Sequence, residues 1–161
     1  MPTSSKKNSA ERVAAYDELA TRMRDLLDDE RDLVAAMANF SALLKEAFDW
    51  HWVGFYRVLG AELVLGPFQG PVACSRIGFG KGVCGAAWKE ERAQVVPDVS
   101  KFTGHIACSP QARSEIVVPI RDRDGRIAAV LDIDSAKPDD FGTVDVHALE
   151  TLCELLQPLF E

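Results

Sequence analysis

Long apolar runs are missing from this chain. Its apolar stretches are short and interrupted, far below the roughly 20 residues that a spanning helix needs, so no membrane segment is predicted. An excess of basic charge is missing too. The 18 Lys and Arg are outnumbered by 25 Asp and Glu, for a formal net charge of -7. Such a chain repels phosphate, which argues against nucleic-acid and anionic-membrane partners. Cysteine is sparse, at Cys74, Cys84, Cys108 and Cys153. A secreted disulfide scaffold is normally shorter and richer in cysteine. No C-x-x-C pair is present to build a zinc site of the usual spacing, and His51, His105 and His147 show no metal-ligand spacing, so no metal is assigned. The N-terminus carries no apolar signal region, so a cytoplasmic location, where thiols stay reduced, is expected. There is no repeat, low-complexity tract or linker.

What is present is enough for one domain. Residues 1–9 are polar and predict a short disordered lead, with a single domain over 10–161. Val13, Tyr16, Leu19, Met23 and Leu26 recur at helical spacing, as do Leu33, Met37, Phe40 and Leu44. These predict helices over 10–28 and about 31–48. His51 to Leu59 is aromatic and β-branched and predicts a strand, turned by Gly60-Ala61 into a second at 62–66. Residues 67–82, rich in Gly and Pro, read as mainly loop. A short helix at 83–90 and a strand at 93–96 follow, then a long irregular segment over 97–113. Strands at 115–120 and 126–133 flank Asp124-Gly125, a hairpin signal because glycine accepts positive φ. Val144, Leu149, Leu152, Cys153 and Leu156 form one stripe of a helix over 143–160. Strands in the middle and helices at the ends predict an α+β fold, an antiparallel sheet covered by terminal helices.

A long loop between two strands of a small domain is often functional. This one holds Lys101, His105, Cys108 and Ser109, with Glu115 following. Cys108 is either an inert buried thiol or a reactive one, and its polar loop surroundings favour the second about as strongly as base expectation favours the first. Cys84 lies in Gly80-Lys81-Gly82-Val83-Cys84-Gly85, which is either a tight strand-to-helix turn or a place where backbone approaches a ligand. Cys74 sits in a loop beyond Pro71 and could resolve an oxidised Cys108. Cys153 reads as core packing. Asp132 and Asp134 flank Ile133 and share a strand face. They are either strand-end caps or a pair facing a cleft, where such carboxylates need a cation or a proton between them. Trp52 and Tyr56 share a face as well; with Trp50, they are core aromatics or a ligand wall.

Gly80 to Gly85 and Val96-Pro97-Asp98-Val99 resemble the central signature of GAF domains. Four stretches are narrower: Trp52-Val53-Gly54-Phe55-Tyr56, Gly104 to Cys108, Ser114 to Pro119, and Leu131-Asp132-Ile133-Asp134-Ser135. Together they resemble the free methionine-(R)-sulfoxide reductases, from about residue 10 to the C-terminus. The resemblance implies a GAF sheet of about six antiparallel strands flanked by helices, and a homodimer. It implies reduction of free methionine-(R)-sulfoxide through a cysteine sulfenic acid and a disulfide, with electrons from thioredoxin and no metal or organic cofactor. Carried over by position, Cys108 is the catalytic cysteine, Cys74 a resolving cysteine and Cys84 the third active-site cysteine. Glu115, Asp132 and Asp134 are the substrate-binding acids, and Trp52 and Tyr56 the aromatic wall; the departing oxygen needs a nearby acid, and Glu115 is the candidate proton donor. Arg113 departs from the small polar residue expected before Ser114. The competing expectation is a ligand-sensing or redox-sensing GAF module without turnover.

Overall fold

Strand alternation in the middle of the chain builds a sheet with two unlike faces, and that difference positions everything else. The computed structural model describes residues 9–106 and 110–160. Its elements run α1 (Ser9–Leu27), α2 (Leu33–Phe48), β1 (Trp52–Leu59), β2 (Glu62–Gln69), β3 (Arg76–Gly78), α3 (Gly82–Glu90), β4 (Gln94–Val96), β5 (Ser114–Arg121), β6 (Ile127–Ser135) and α4 (Thr143–Cys153). Short 3-10 turns cover Val99–Lys101 and Glu154–Leu159. The sheet has six strands in the order β3-β2-β1-β6-β5-β4, and each neighbouring pair is antiparallel. The α+β expectation holds.

One face packs Val53, Phe55, Ile116, Val118, Leu131 and Ile133 against α1, α2 and α4, which contribute Leu19, Met37, Phe40, Leu149 and Leu152. Fully burying one such side chain contributes about 1.5–3 kcal/mol, so this cluster supplies most of the driving force for folding. The other face presents Trp52, Tyr56, Val117 and Val130, covered by α3 through Val83, Cys84 and Ala87. A buried polar network fastens α1 to the start of α4. Arg12 pairs with Asp140 and Asp145, the Tyr16 hydroxyl donates to Asp145 (2.7 Å), and the Ser135 hydroxyl donates to Asp140. Asp145 also caps α4, accepting from the Gly142 N–H at 2.8 Å.

Several boundaries differ from the sequence expectations, some of them for a clear local reason. The first helix begins at Ser9, within what was expected to be lead; residues 1–8 lie outside the described ones. The second starts at Leu33 because Asp32 is its N-cap, accepting from the Ala35 N–H at 2.8 Å. β2 continues past 66 because a bulge opposite Phe55 accommodates Gly66-Pro67, and a bulge is where a sheet tolerates proline. The same stretch hides the three-residue β3, too short to carry a period. The last helix is α-helical only to Cys153. Pro158 cannot donate to Glu154 as an α-helix would require, and the chain tightens to 3-10.

Candidate active site

Register decides the site. Trp52 on β1 pairs with Asp134 on β6, which pairs with Glu115 on β5. One step along, Gly54 pairs with Asp132 and Asp132 with Val117. Directly opposed residues of an antiparallel ladder point to the same face. The sheet therefore collects Trp52, Tyr56, Glu115, Asp132 and Asp134 on the face away from the three long helices. Cys84, in the first turn of α3, closes the group, and its thiol donates a hydrogen bond to Asp132. The cavity between them is about 40 Å³, room for a few water molecules. His105, Ile106 and Ala112 line it from the segment before β5, and Lys81, Gly82 and Val83 from the start of α3.

The aromatic wall is built around a glycine. The Trp52 ring stacks between Tyr56 (centroids 6.0 Å apart) and Phe68 (5.2 Å). It lies over Gly54, where a Cβ would stand 2.7 Å from the indole and 2.3 Å from the Phe68 Cβ. The wall also holds the loop before β3. The Trp52 Nε1–H donates to the Pro71 carbonyl at 3.0 Å, and the Tyr56 hydroxyl donates to the Cys74 carbonyl at 2.9 Å. Burial, then the neighbouring carboxylates, raises the Tyr56 pKa, so the phenol keeps the proton it donates.

Three carboxyl groups in one buried space cannot all ionise. Glu115 is pushed up to about 8, by burial first and then by Asp134, against the hydrogen bond from Asp132 that lowers it. Asp132 is raised by burial and by Glu115, and Asp134 by burial and by Asp132. Burial also raises the Cys84 thiol and lowers His105. With a neutral imidazole, the 3.5 Å approach of His105 Nε2 to Glu115 is no ion pair at neutral pH. One oxygen of Asp132, Oδ1, is buried without a hydrogen-bond partner. The pocket is a stack of aromatic rings beside a proton-sharing acidic cluster, with Lys81 lining the same cavity.

The sequence-derived residues divide as follows. Trp52, Tyr56, Cys84, Glu115, Asp132 and Asp134 come together, so Trp52 and Tyr56 form a pocket wall and Asp132 and Asp134 face a cleft. Cys74 is disulfide-bonded, beside the pocket-lining Ala73, while Cys84 and Cys153 are free thiols. Cys108 lies outside the described residues. Cys153 and Trp50 belong to the helical core. Lys101 is exposed and its nearest acid is Asp98, 3.9 Å away. Arg113 is exposed too, and its backbone N–H donates to the Ser135 carbonyl at 2.8 Å. Sequence reading did not single out Gly54, although a glycine between Trp52 and the Phe55-Tyr56 pair in a strand is a sign of close approach. Ile77, Ile106 and Ala112 carried no such signal.

A family model described as GAF domain matches residues 26–161. A solved structure of free methionine-R-sulfoxide reductase from Neisseria meningitidis, in complex with its substrate, is 49% identical with a TM-score of 0.90, over 92% of this chain and 90% of that one. Free methionine-R-sulfoxide reductase of Saccharomyces cerevisiae is 43% identical over 87% of this chain and 82% of its own length. The Escherichia coli protein of the same name is also 43% identical, over 88% and 86%.

Proposed function

This chain belongs to the GAF-domain family of free methionine-R-sulfoxide reductases, and we propose that it reduces free L-methionine-(R)-S-oxide to L-methionine with electrons from thioredoxin. The observation that carries this reading is the acidic cluster of Glu115, Asp132 and Asp134 set against the Trp52–Tyr56 wall. A free amino acid supplies an ammonium to pair with the acids, and an apolar S-methyl end suits the rings.

The Cys108 thiolate attacks the sulfoxide sulfur, and Glu115, protonated at neutral pH, gives a proton to the sulfoxide oxygen. Oxygen passes to Cys108 as a sulfenic acid: the substrate sulfur gains two electrons and the cysteine sulfur loses two. The Cys74 thiol condenses with it, water leaves, and a Cys74–Cys108 disulfide forms. Thioredoxin reduces that disulfide by exchange. Support for this pairing is that Cys74 is disulfide-bonded while Cys84 and Cys153 are free. The chemistry uses protein thiols alone, without metal or organic cofactor. We place it in the cytoplasm, in a homodimer; no described helix is long and apolar enough to cross a membrane.

The test is NADPH consumption with thioredoxin and thioredoxin reductase on addition of free methionine-(R)-sulfoxide. Turnover is expected in the wild type and none in Cys108→Ser, since a hydroxyl is a far poorer nucleophile than a thiolate. A folded wild type without turnover, or an active Cys108→Ser variant, overturns the reading.

A further inference from the structure

We propose that Cys84, Glu115 and Asp132 form a binding site for a thiophilic divalent cation of the zinc class, and that the ion excludes substrate. The three residues come from α3, β5 and β6, and each places one donor atom within 4.8 Å of the other two. Zinc binds thiolate at about 2.3 Å and carboxylate oxygen at about 2.0–2.2 Å, so tetrahedral ligands stand roughly 3.4–3.7 Å apart. The 4.8 Å bound on the donor separations is compatible with that spacing, and water takes the fourth position.

A second observation points to an ion independently of the donor spacing. Asp132 is 6% exposed, yet its Oδ1 has no hydrogen-bond partner, although the residue accepts from Cys84 and bonds with Glu115. A buried carboxylate oxygen left unsatisfied beside a thiol and a second carboxyl group is a vacant ligand position rather than a packing requirement. The donor chemistry selects among cations. Calcium takes six to eight oxygen ligands and magnesium a near-octahedral oxygen set, which a thiolate and two carboxylates do not provide. A soft sulfur with two oxygens suits zinc, and cobalt(II) as its spectroscopic substitute.

The exclusion of substrate rests on the functional reading above, which sets the ammonium group against the acidic cluster that includes Asp132; the metal site does not. Zinc bound there removes both the ammonium's partner and the proton of Glu115. The ion enters through the same mouth as substrate, since all three ligands line that cavity.

The test titrates cobalt(II) alone into the fully reduced chain without oxygen. One cobalt per chain is expected, with a thiolate-to-cobalt charge-transfer band in the near ultraviolet. Cys84→Ser should abolish the band, Asp132→Asn should weaken binding at least tenfold, and Cys74→Ser should leave it intact. Zinc should displace the cobalt, and magnesium and calcium should not. Circular dichroism melts establish that each variant is folded. Absence of the band, its survival in Cys84→Ser, or its loss in Cys74→Ser overturns the site. Saturating free methionine should raise the apparent cobalt dissociation constant at least tenfold. A Cys84-dependent band indifferent to methionine overturns the exclusion and counts against the ammonium placement, while the metal site stands.

Discussion

Glu115 and Asp134 stand directly opposite each other across the β5–β6 ladder, both aimed into a pocket where Asp132 already hydrogen-bonds Glu115. Adjacent strands thus force three acids together, and the free protein answers by keeping protons.

That has a consequence for stability. The Glu115 carboxyl titrates at 4.5 in an ordinary setting and at about 8 here. Between those values the folded state binds more protons than the unfolded one. Stability of the substrate-free protein therefore falls as pH rises from 4.5 to about 8. Asp132 and Asp134, raised as well, act in the same direction. Glu115→Gln should make the slope shallower. Thermal melts across that window, wild type beside variant, decide it; a wild type that gains stability as pH rises would contradict the buried-acid account.

The same proton should appear in the rate. Glu115 acts as an acid, so single-turnover methionine release should decline as pH rises through about 8. In Glu115→Gln the remaining slow reaction should show no decline in that range. A descending limb that persists unchanged in the variant would assign it to another group.

Resolution is separable from chemistry at sulfur. Cys74→Ser should release about one methionine per active site and then stall with Cys108 oxidised, because oxygen transfer precedes disulfide formation. Quenched-flow product counts and mass spectrometry of the trapped enzyme measure both. Full steady-state turnover with thioredoxin would move the resolving role to Cys84.

Substrate selection should follow from the ammonium. An N-acetylated methionine-(R)-sulfoxide offers an amide where the acids need a cation, leaving buried carboxylates without a counter-charge. Sites of this kind reject such analogues by roughly 10⁴-fold. Assays with the acetylated compound beside the free (R) and (S) amino acids check it. Comparable turnover of the acetylated compound would remove Asp132 and Asp134 from substrate binding.

Much of this was legible in the sequence because it depends on strand parity. Asp132 and Asp134 are two apart, Trp52 and Tyr56 four apart, so each pair shares a face whatever the tertiary fold. Which face, and that Glu115 lies beside Asp134, depend on pairing between strands distant in sequence, and nothing local encodes that register. β3 was invisible for a similar reason: three residues among Gly and Pro carry no period, and only pairing with Glu62 to Val64 makes them a strand. The helical core was easier, since Leu19, Met37 and Leu149 announce their faces through spacing within one element.

The network at Arg12 should be costly to break from one side. Arg12→Ala leaves Asp140 and Asp145 buried without their cation, at about 3–5 kcal/mol. Urea unfolding measures it. Activity per folded molecule should change little, since the network lies on the helical side of the sheet, and a large activity loss at full stability would reveal coupling across it.

The last expectation concerns Gly54. Its pairing with Phe68 on one side and Asp132 on the other puts it at the centre of the site, and the far edge of the Trp52 ring closes on it. A methyl group at this position would stand 2.3 Å from the Phe68 Cβ, 2.9 Å from the Phe68 Cα and 2.7 Å from the indole. The Phe68 Cβ and Cα are held in the β1–β2 ladder, so the substitution must push the two strands apart locally as well as displace the indole. Gly54→Ala should therefore tilt Trp52 off its stack with Phe68 and Tyr56. Overpacking of this kind destabilises by about 1–3 kcal/mol. The larger effect should be on turnover. A displacement near 1 Å in a positioned site costs on the order of 10²-fold, and the wall sets which face of the substrate sulfur meets the thiol. Discrimination between the (R) and (S) sulfoxides should weaken along with kcat/KM. Gly142→Ala, where a Cβ meets nothing within 4 Å, is the control. Near-ultraviolet circular dichroism of the indole and kcat/KM for both epimers, measured well below the melting temperature, give the answer. A stable Gly54→Ala protein with unchanged indole signal and unchanged stereoselectivity would show that the wall does not orient the substrate.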